Sequence, residues 1–357
     1  MSDGRNLLTH SRVQCMRTCL RKHCFAYELG IKPAVKSAPL RMGSAIHLAK
    51  ELVHKNKMNP NDAILQAIKP YDVVPAGVDA TDWAIEREKV YRLAWAYFQV
   101  WADDTREVIA TEQTFELPIK NPETGGRTNK FLSAGKIDGI VKLPDGRVAI
   151  DETKTTSKPI DPESDFWQRL RVDDQITKYF WAARQLGYDI SCVIYDVIKK
   201  PTIEPLLIPL LDENGDKIVL DAEGKRVLKA SGLPRQTGDS TLGYVLQQRR
   251  QTPAEYGERL SEDIAARPGF YFQRKEITRL ESDIEEFEHE QWQSQQLLSD
   301  CQRTGRWFRN TGACLSPYRC EYANLCFGGF SGDLSQGVPE GFTQVANVNP
   351  ELESEEA

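Results

Sequence analysis

Helical patterning dominates the first hundred residues and gives way to strand patterning after them. A helix is predicted over Arg12–Leu29, with Ser11 as N-cap, Gly30 as the C′ residue and Pro33 just beyond. A second, Met42–Lys57, contains Gly43 and His47, and helical patterns resume over Asp62–Ile68 and, rich in aromatics, over Asp82–Trp101. Val108–Ile119 reads as a strand and Asn121–Asn129, with its Pro, Gly and Thr, as a loop. Two apolar-rich runs follow, Ile137–Leu143 and Arg147–Ile150 onward, joined by Pro144-Asp145-Gly146. Asp-Gly between such runs is a hairpin signal, because Gly146 can take a positive φ. Beyond a connection at Thr155–Asp165, a helix near Asp173–Leu186 precedes a strand at Ser191–Val197. A helix between strands of one compact unit predicts an α/β core.

Residues 201–250 read as a β excursion on the surface. Leu211-Asp-Glu-Asn-Gly-Asp-Lys-Ile and Leu220-Asp-Ala-Glu-Gly-Lys-Arg-Val repeat nine residues apart, each with a turn glycine. Pro253–Ala266 and Glu281–Gln302 are predicted helices, with a strand mixing aromatic and basic residues from Gly269 to Ile277 between them. From Ser331 onward large apolar side chains are few, and the composition predicts disorder.

Charge changes this picture. The 357-residue chain carries a formal net charge of −6, which alone argues against a polyanionic partner. The charge is unevenly distributed: residues 331–357 hold six acids and no Lys or Arg, whereas residues 1–57 hold eleven Lys and Arg against three acids. A basic N-terminal region and an acidic tail are the asymmetry expected when one face meets a polyanion; a merely solvated basic helix is the alternative. Met1–His10 lacks the apolar core of a signal peptide and no membrane-spanning run appears, so a cytoplasmic protein without structural disulfides is expected.

The hairpin carries the candidate chemistry. Asp138 lies on its first strand, and Glu152 and Lys154 share one face of the second while Thr153 points away. Two carboxylates and a lysine beside a turn suit a divalent metal and a phosphodiester, although a surface salt-bridge ladder would use the same residues. Asp151 precedes Glu152, so either acid could serve as ligand; the period-two geometry with Lys154 favours Glu152. His47 could complete a metal's coordination if its helix faces the hairpin. Gln175 and Tyr179, four apart, share a helical face. Of the eight cysteines, Cys314, Cys320 and Cys326 fall regularly in a turn-rich stretch. Three thiolates plus a fourth from Cys15, Cys19 or Cys24 would suit a [4Fe–4S] cluster or Zn2+. Cys192 and Cys301 read as ordinary buried residues.

The order His47, Gly135-x-x-Asp138, Glu152-x-Lys154, Gln175-x-x-x-Tyr179 resembles the PD-(D/E)XK nuclease superfamily. More narrowly, it is similar to the RecB/AddB-like iron–sulfur nucleases, a group shared with CRISPR adaptation nucleases and phage exonucleases. Met42-Gly-Ser-Ala-Ile-His47 matches that family's Gly-x-x-x-His helix, and Cys19-Leu-Arg-Lys its opening, which selects Cys19 as the first cluster cysteine. Leu20 stands where proline is usual, and the Cys314–Cys320 spacing is wider than the common one.

The resemblance implies a restriction-endonuclease-like α/β fold: a central mixed sheet flanked by helices, an N-terminal helical region and an iron–sulfur-bound C-terminal segment. The expected organisation is a helical region (1–105), nuclease core (106–200), β insertion (201–250), C-terminal helices and cysteines (251–330) and acidic tail (331–357). Asp138, Glu152, Lys154, Gln175 and Tyr179 would be catalytic. His47, Asp138, Glu152 and the Thr153 carbonyl would hold Mg2+ or Mn2+, and Cys19, Cys314, Cys320 and Cys326 a [4Fe–4S] cluster, with Zn2+ as the alternative. The implied activity is a DNA exonuclease in recombination, repair or phage replication, preferring single-stranded ends, with any helicase or recombination partner on another chain. A catalytically silent iron–sulfur DNA-binding module of the same fold is the alternative. No Gly-x-Gly-x-x-Gly or Gly-x-x-x-x-Gly-Lys-(Ser/Thr) run supports a redox enzyme or a motor.

Overall fold

A computed structural model describes residues 6–34 and 38–352. Its strands are β1 (Leu7–Leu8), β2 (Ile31–Pro33), β3 (Glu107–Lys120), β4 (Arg127–Lys142), β5 (Val148–Thr156) and β6 (Ile190–Lys199). There follow β7 (Leu207–Pro209), β8 (Val219–Leu220), β9 (Val245–Leu246), β10 (Gln248–Arg250), β11 (Phe272–Ile277) and β12 (Phe342–Gln344).

Six strands form one mixed sheet, ordered β1-β4-β5-β6-β11 with β3 also on β4. β4 runs antiparallel to β3 along nearly its whole length, so its other side is shared by β1 at Leu132–Ser133 and by β5 at Gly139–Lys142. β5 and β6 are parallel, which requires a crossover. The helices Asp165–Arg169 and Asp174–Gln185 supply it. Apolar side chains cover both sheet faces. On one, the helices Ala38–Asn56, Pro60–Ala67, Ala80–Val100 and Pro253–Ala266 meet Ile198 and Phe272. On the other, the Asp174–Gln185 helix with Ile284 and Phe287 meets Ile137, Ile150, Val193 and Val197. A central mixed sheet flanked by helices is therefore observed. Between β6 and β11, short two-stranded ladders β7–β10 and β8–β9 occupy the excursion.

Three local expectations differ from the structure. The predicted Arg12–Leu29 helix starts under a Thr9 cap, whose hydroxyl accepts the Arg12 amide at 3.2 Å, and breaks at Cys19, where φ is −167°. Leu20–His23 and a π-turn over Cys24–Glu28 continue it. The break is tertiary in origin: the Arg21 amide bonds Phe308 O at 3.1 Å and the Asn310 side chain bonds Thr18 O at 3.0 Å. The Gly269–Ile277 strand begins only at Phe272, because Pro268 opens a helical turn.

The tail is the third difference. Residues 331–352, expected to be disordered, are folded against the N-terminal region; 353–357 lie outside the described residues. β12 pairs antiparallel with β2, Val348 is fully buried and Glu351 accepts the Thr9 hydroxyl at 2.7 Å. Leu334, Phe342, Val345 and Val348 are few, but each enters a cluster around Phe25, Ile31 and Tyr322. Placement rather than number made the difference.

Candidate active site and cysteine lobe

The hairpin turn forms as predicted, with Gly146 at φ 92°. β4 carries Asp138, and β5 carries Glu152 and Lys154 on one face and Asp151 and Thr153 on the other. The Thr153 amide donates to Asp138 Oδ2 at 3.0 Å, which locks the acid to the neighbouring strand. His47 reaches the same oxygen, Nδ1 to Oδ2 3.5 Å. Its helix lies close because position 43 is glycine: a Cβ there would come 3.0 Å from the Thr155 hydroxyl. Burial lowers the His47 pKa despite Asp138, which favours the neutral imidazole.

Glu152 is 1% exposed. Its Oε1 accepts from Lys154 Nζ at 2.9 Å and from Gln175 Nε2 at 3.1 Å. Gln175 Nε2 also donates to Tyr179 Oη at 3.0 Å, so the residues four apart act together on the carboxylate. Asp173 caps this helix by accepting the Gln175 and Ile176 amides at 3.1 and 3.2 Å. Tyr179 in turn packs by Gly135, whose backbone lies so near the Phe115 ring that a Cβ would fall 2.5 Å from it. Burial, reinforced by Asp138 and opposed by Lys154, pushes the Glu152 carboxyl up to about 8.

Asp151 has a different environment. Arg106 Nη1 meets it at 2.6 Å and Lys50 Nζ at 3.7 Å. These belong to a buried charge network that sequence reasoning missed. Asp196 Oδ2, fully buried in β6, accepts from Tyr97 Oη at 2.5 Å, Arg274 Nε at 3.0 Å and Lys50 Nζ at 3.3 Å. Lys50 also donates to the Thr153 hydroxyl. A signal was present: Lys50 is one turn after His47, and Asp196 interrupts an otherwise apolar strand.

Two clefts flank the site. One, about 170 Å3, is lined by His47, Asp138 and Thr153. The other, about 530 Å3, is lined by Lys154 and Gln175 together with His10, Gln14 and Arg17 of the His10–Thr18 helix. His10, which had no evident company in the sequence, thus stands beside the candidate lysine. Burial lowers its pKa to about 4.

Among the described residues, no group of three or more His, Cys, Asp and Glu stands ready to hold a metal ion. The donor set nevertheless fits one. Glu152 Oε2 is buried without a hydrogen-bond partner, whereas Oε1 holds both Lys154 and Gln175, so one carboxylate oxygen stands open to a cation. Two carboxylates, an imidazole and a nearby carbonyl are donors suited to Mg2+ or Mn2+.

The cysteines at the two ends of the chain meet. Cys19, Cys314, Cys320 and Cys326 line one cavity of about 290 Å3, and the Cys320 amide bonds Cys314 O at 2.8 Å. None of the eight cysteines is joined in a disulfide. Cys15, nearby, is pushed up to about 12 and Cys24 to about 11, both mainly by burial. Cys192 is buried in β6 and Cys301 in the Glu281–Thr304 helix.

No described helix is long and apolar enough to cross a membrane. No curated protein matches the chain. Among solved structures, a Eubacterium rectale protein provisionally named an exonuclease aligns at 14% identity and TM-score 0.37, over 75% of this chain and 82% of its own. SSO0001 aligns at 14% identity and TM-score 0.20, over 52% and 71%. Both likenesses are too distant to carry an argument. The family model of the PD-(D/E)XK nuclease superfamily, by contrast, matches residues 7–327, spanning the sheet, both clefts and the cysteine lobe: the chain belongs to that superfamily.

Proposed function

We propose that this protein is a metal-dependent DNA exonuclease. The observation that carries the reading is Glu152: a buried carboxylate with one orphaned oxygen, next to Asp138 and bonded to Lys154. Asp138, Glu152, His47 and the Thr153 carbonyl would hold Mg2+ or Mn2+, which when bound polarises the scissile phosphate and lowers the pKa of a water. Lys154 orients the attacking water and stabilises the charge that develops on the phosphate, a role in which a preorganised cation is effective. Gln175 and Tyr179 hold Glu152 in register. Phosphoryl chemistry asks a protein chiefly for positioning and charge neutralisation, and these residues supply both.

Cys19, Cys314, Cys320 and Cys326 would hold a structural [4Fe–4S] cluster, or Zn2+; their shared cavity supports this reading. Membership of the nuclease superfamily supports a DNA substrate, and single-stranded ends with a setting in recombination, repair or phage replication complete the proposal.

Digestion of 5′- and 3′-labelled single- and double-stranded DNA with Mg2+ or Mn2+ tests the activity. Wild type is expected to shorten DNA from an end. Asp138→Ala and Lys154→Ala are each expected to lose at least about 10^3-fold in rate with unchanged circular dichroism. Binding without cleavage by wild type would instead identify a catalytically silent module.

A further inference from the structure

The His10–Thr18 helix joins two places. His10, Gln14 and Arg17 line the Lys154 cleft, and Thr18, with Cys19 and Lys22 just beyond it, lines the cysteine cavity. Nine residues at 1.5 Å each make this connection about 14 Å long.

At the far end the lobe leaves several large rings exposed. Tyr318 is 83% exposed, Phe308 65% and Phe327 59%. Large rings left in water forgo the burial that would normally stabilise them. Exposed arginines neighbour them in sequence, Arg306, Arg309 and Arg319, and the last two line the same cavity as Tyr318. Arg319 lies over the Phe327 ring at 5.8 Å and bonds Asn324 at 2.7 Å. Within residues 301–330 Glu321 is the sole acid, and Lys22 neutralises it at 3.0 Å. Among the described residues Arg306 and Arg309 have no acidic partner. Rings for stacking beside unneutralised cations are the two components of a single-strand platform. A duplex keeps its base faces stacked inside and would leave the rings unused.

We infer that single-stranded DNA leaving the Lys154 cleft follows the His10–Thr18 helix to this lobe. There its bases stack on Tyr318 and Phe308, and its phosphates meet Arg306 and Arg309. The inference rests on the nuclease reading for the end of the strand that enters the cleft.

The test is fluorescence anisotropy of labelled oligothymidylate on the full-length protein as purified, with no Mg2+ or Mn2+ added to support cleavage. Wild type is expected to gain affinity between oligomers of about 4 and about 16 nucleotides. Tyr318→Ala removes on the order of tenfold of that gain. Arg306→Gln and Arg309→Gln each lower the salt slope of log affinity by about 0.7. Thermal unfolding checks that these exposed substitutions leave the fold intact. Unchanged affinity and salt slope in all three variants, or equal competition by a duplex of the same length, overturns the platform and leaves the nuclease reading standing. Wild type that binds the long oligomer through these residues yet never cuts DNA with Mg2+ or Mn2+ would support the platform and sink the nuclease reading.

Discussion

Glu152 shows how a single residue reports what its site is built for. A carboxyl held at about 8 in the folded chain, against 4.5 when exposed, binds its proton more tightly folded than unfolded. The unfolded state therefore loses this proton first as pH rises, and folding stability falls across the window from about 4.5 to 8. In EDTA the melting temperature is expected to drop by a few degrees over that window, more in wild type than in Glu152→Gln. Mn2+ at high pH should restore it in wild type by binding only the folded state, and not in Glu152→Gln. A pH profile identical in both proteins would show that the carboxyl is ionised without cost.

The same residue marks what was readable from sequence. The spacing of Glu152 and Lys154 fixes their common face, because strand side chains alternate strictly. It could not separate Glu152 from Asp151 by chemistry. That distinction lies in Arg106 and Lys50, which come from a loop and a helix remote in sequence and hold Asp151 on the opposite face.

At the level of elements, β5 and β6 are held in place by charge as well as by packing. Asp196 gathers Lys50, Arg274 and Tyr97 beneath Thr153, whose amide holds Asp138. Removing a buried partner leaves the remaining charges uncompensated. Asp196→Ala is expected to cost about 3–5 kcal/mol in urea unfolding, well beyond the effect of a surface change. The long regular elements here were legible: the Ala80–Val100 and Asp174–Gln185 helices and the hairpin follow their hydrophobic period and turn chemistry. The Cys19 break was not, because local propensity runs on through it and the hydrogen bonds that replace the helix come from Phe308 and Asn310. Likewise the platform's rings are ordinary aromatics in sequence; only their exposure distinguishes them.

For the whole molecule, the N-terminal region and the tail form a single structural unit. Deleting residues 330–357 would uncover Phe25, Ile31 and Tyr322, which the tail covers. Hydrogen exchange is expected to lose protection over Cys24–Ile31 while β5 and β6 keep theirs, since local and global opening are separable. Equal protection in the truncated and full chains would show that the N-terminal lobe is stable without its cover. Composition misjudged this segment because disorder was inferred from a low apolar density, whereas a few well-placed side chains and a two-stranded ladder suffice when the partner surface already exists.

The β2–β12 pairing also sets a timetable for the protein's birth. Its strands are about 300 residues apart, and a ribosome adding 5–20 residues per second needs roughly 15–60 s between them. During that interval the sheet can assemble with β1 in it, while β2 waits without its partner strand. A chain stalled before β12 therefore carries Asp138, Glu152, Lys154, Gln175 and Tyr179 while Phe25, Ile31 and Tyr322 lack part of their cover. Pulse proteolysis of stalled nascent chains should find cleavage around residues 25–33 until β12 emerges.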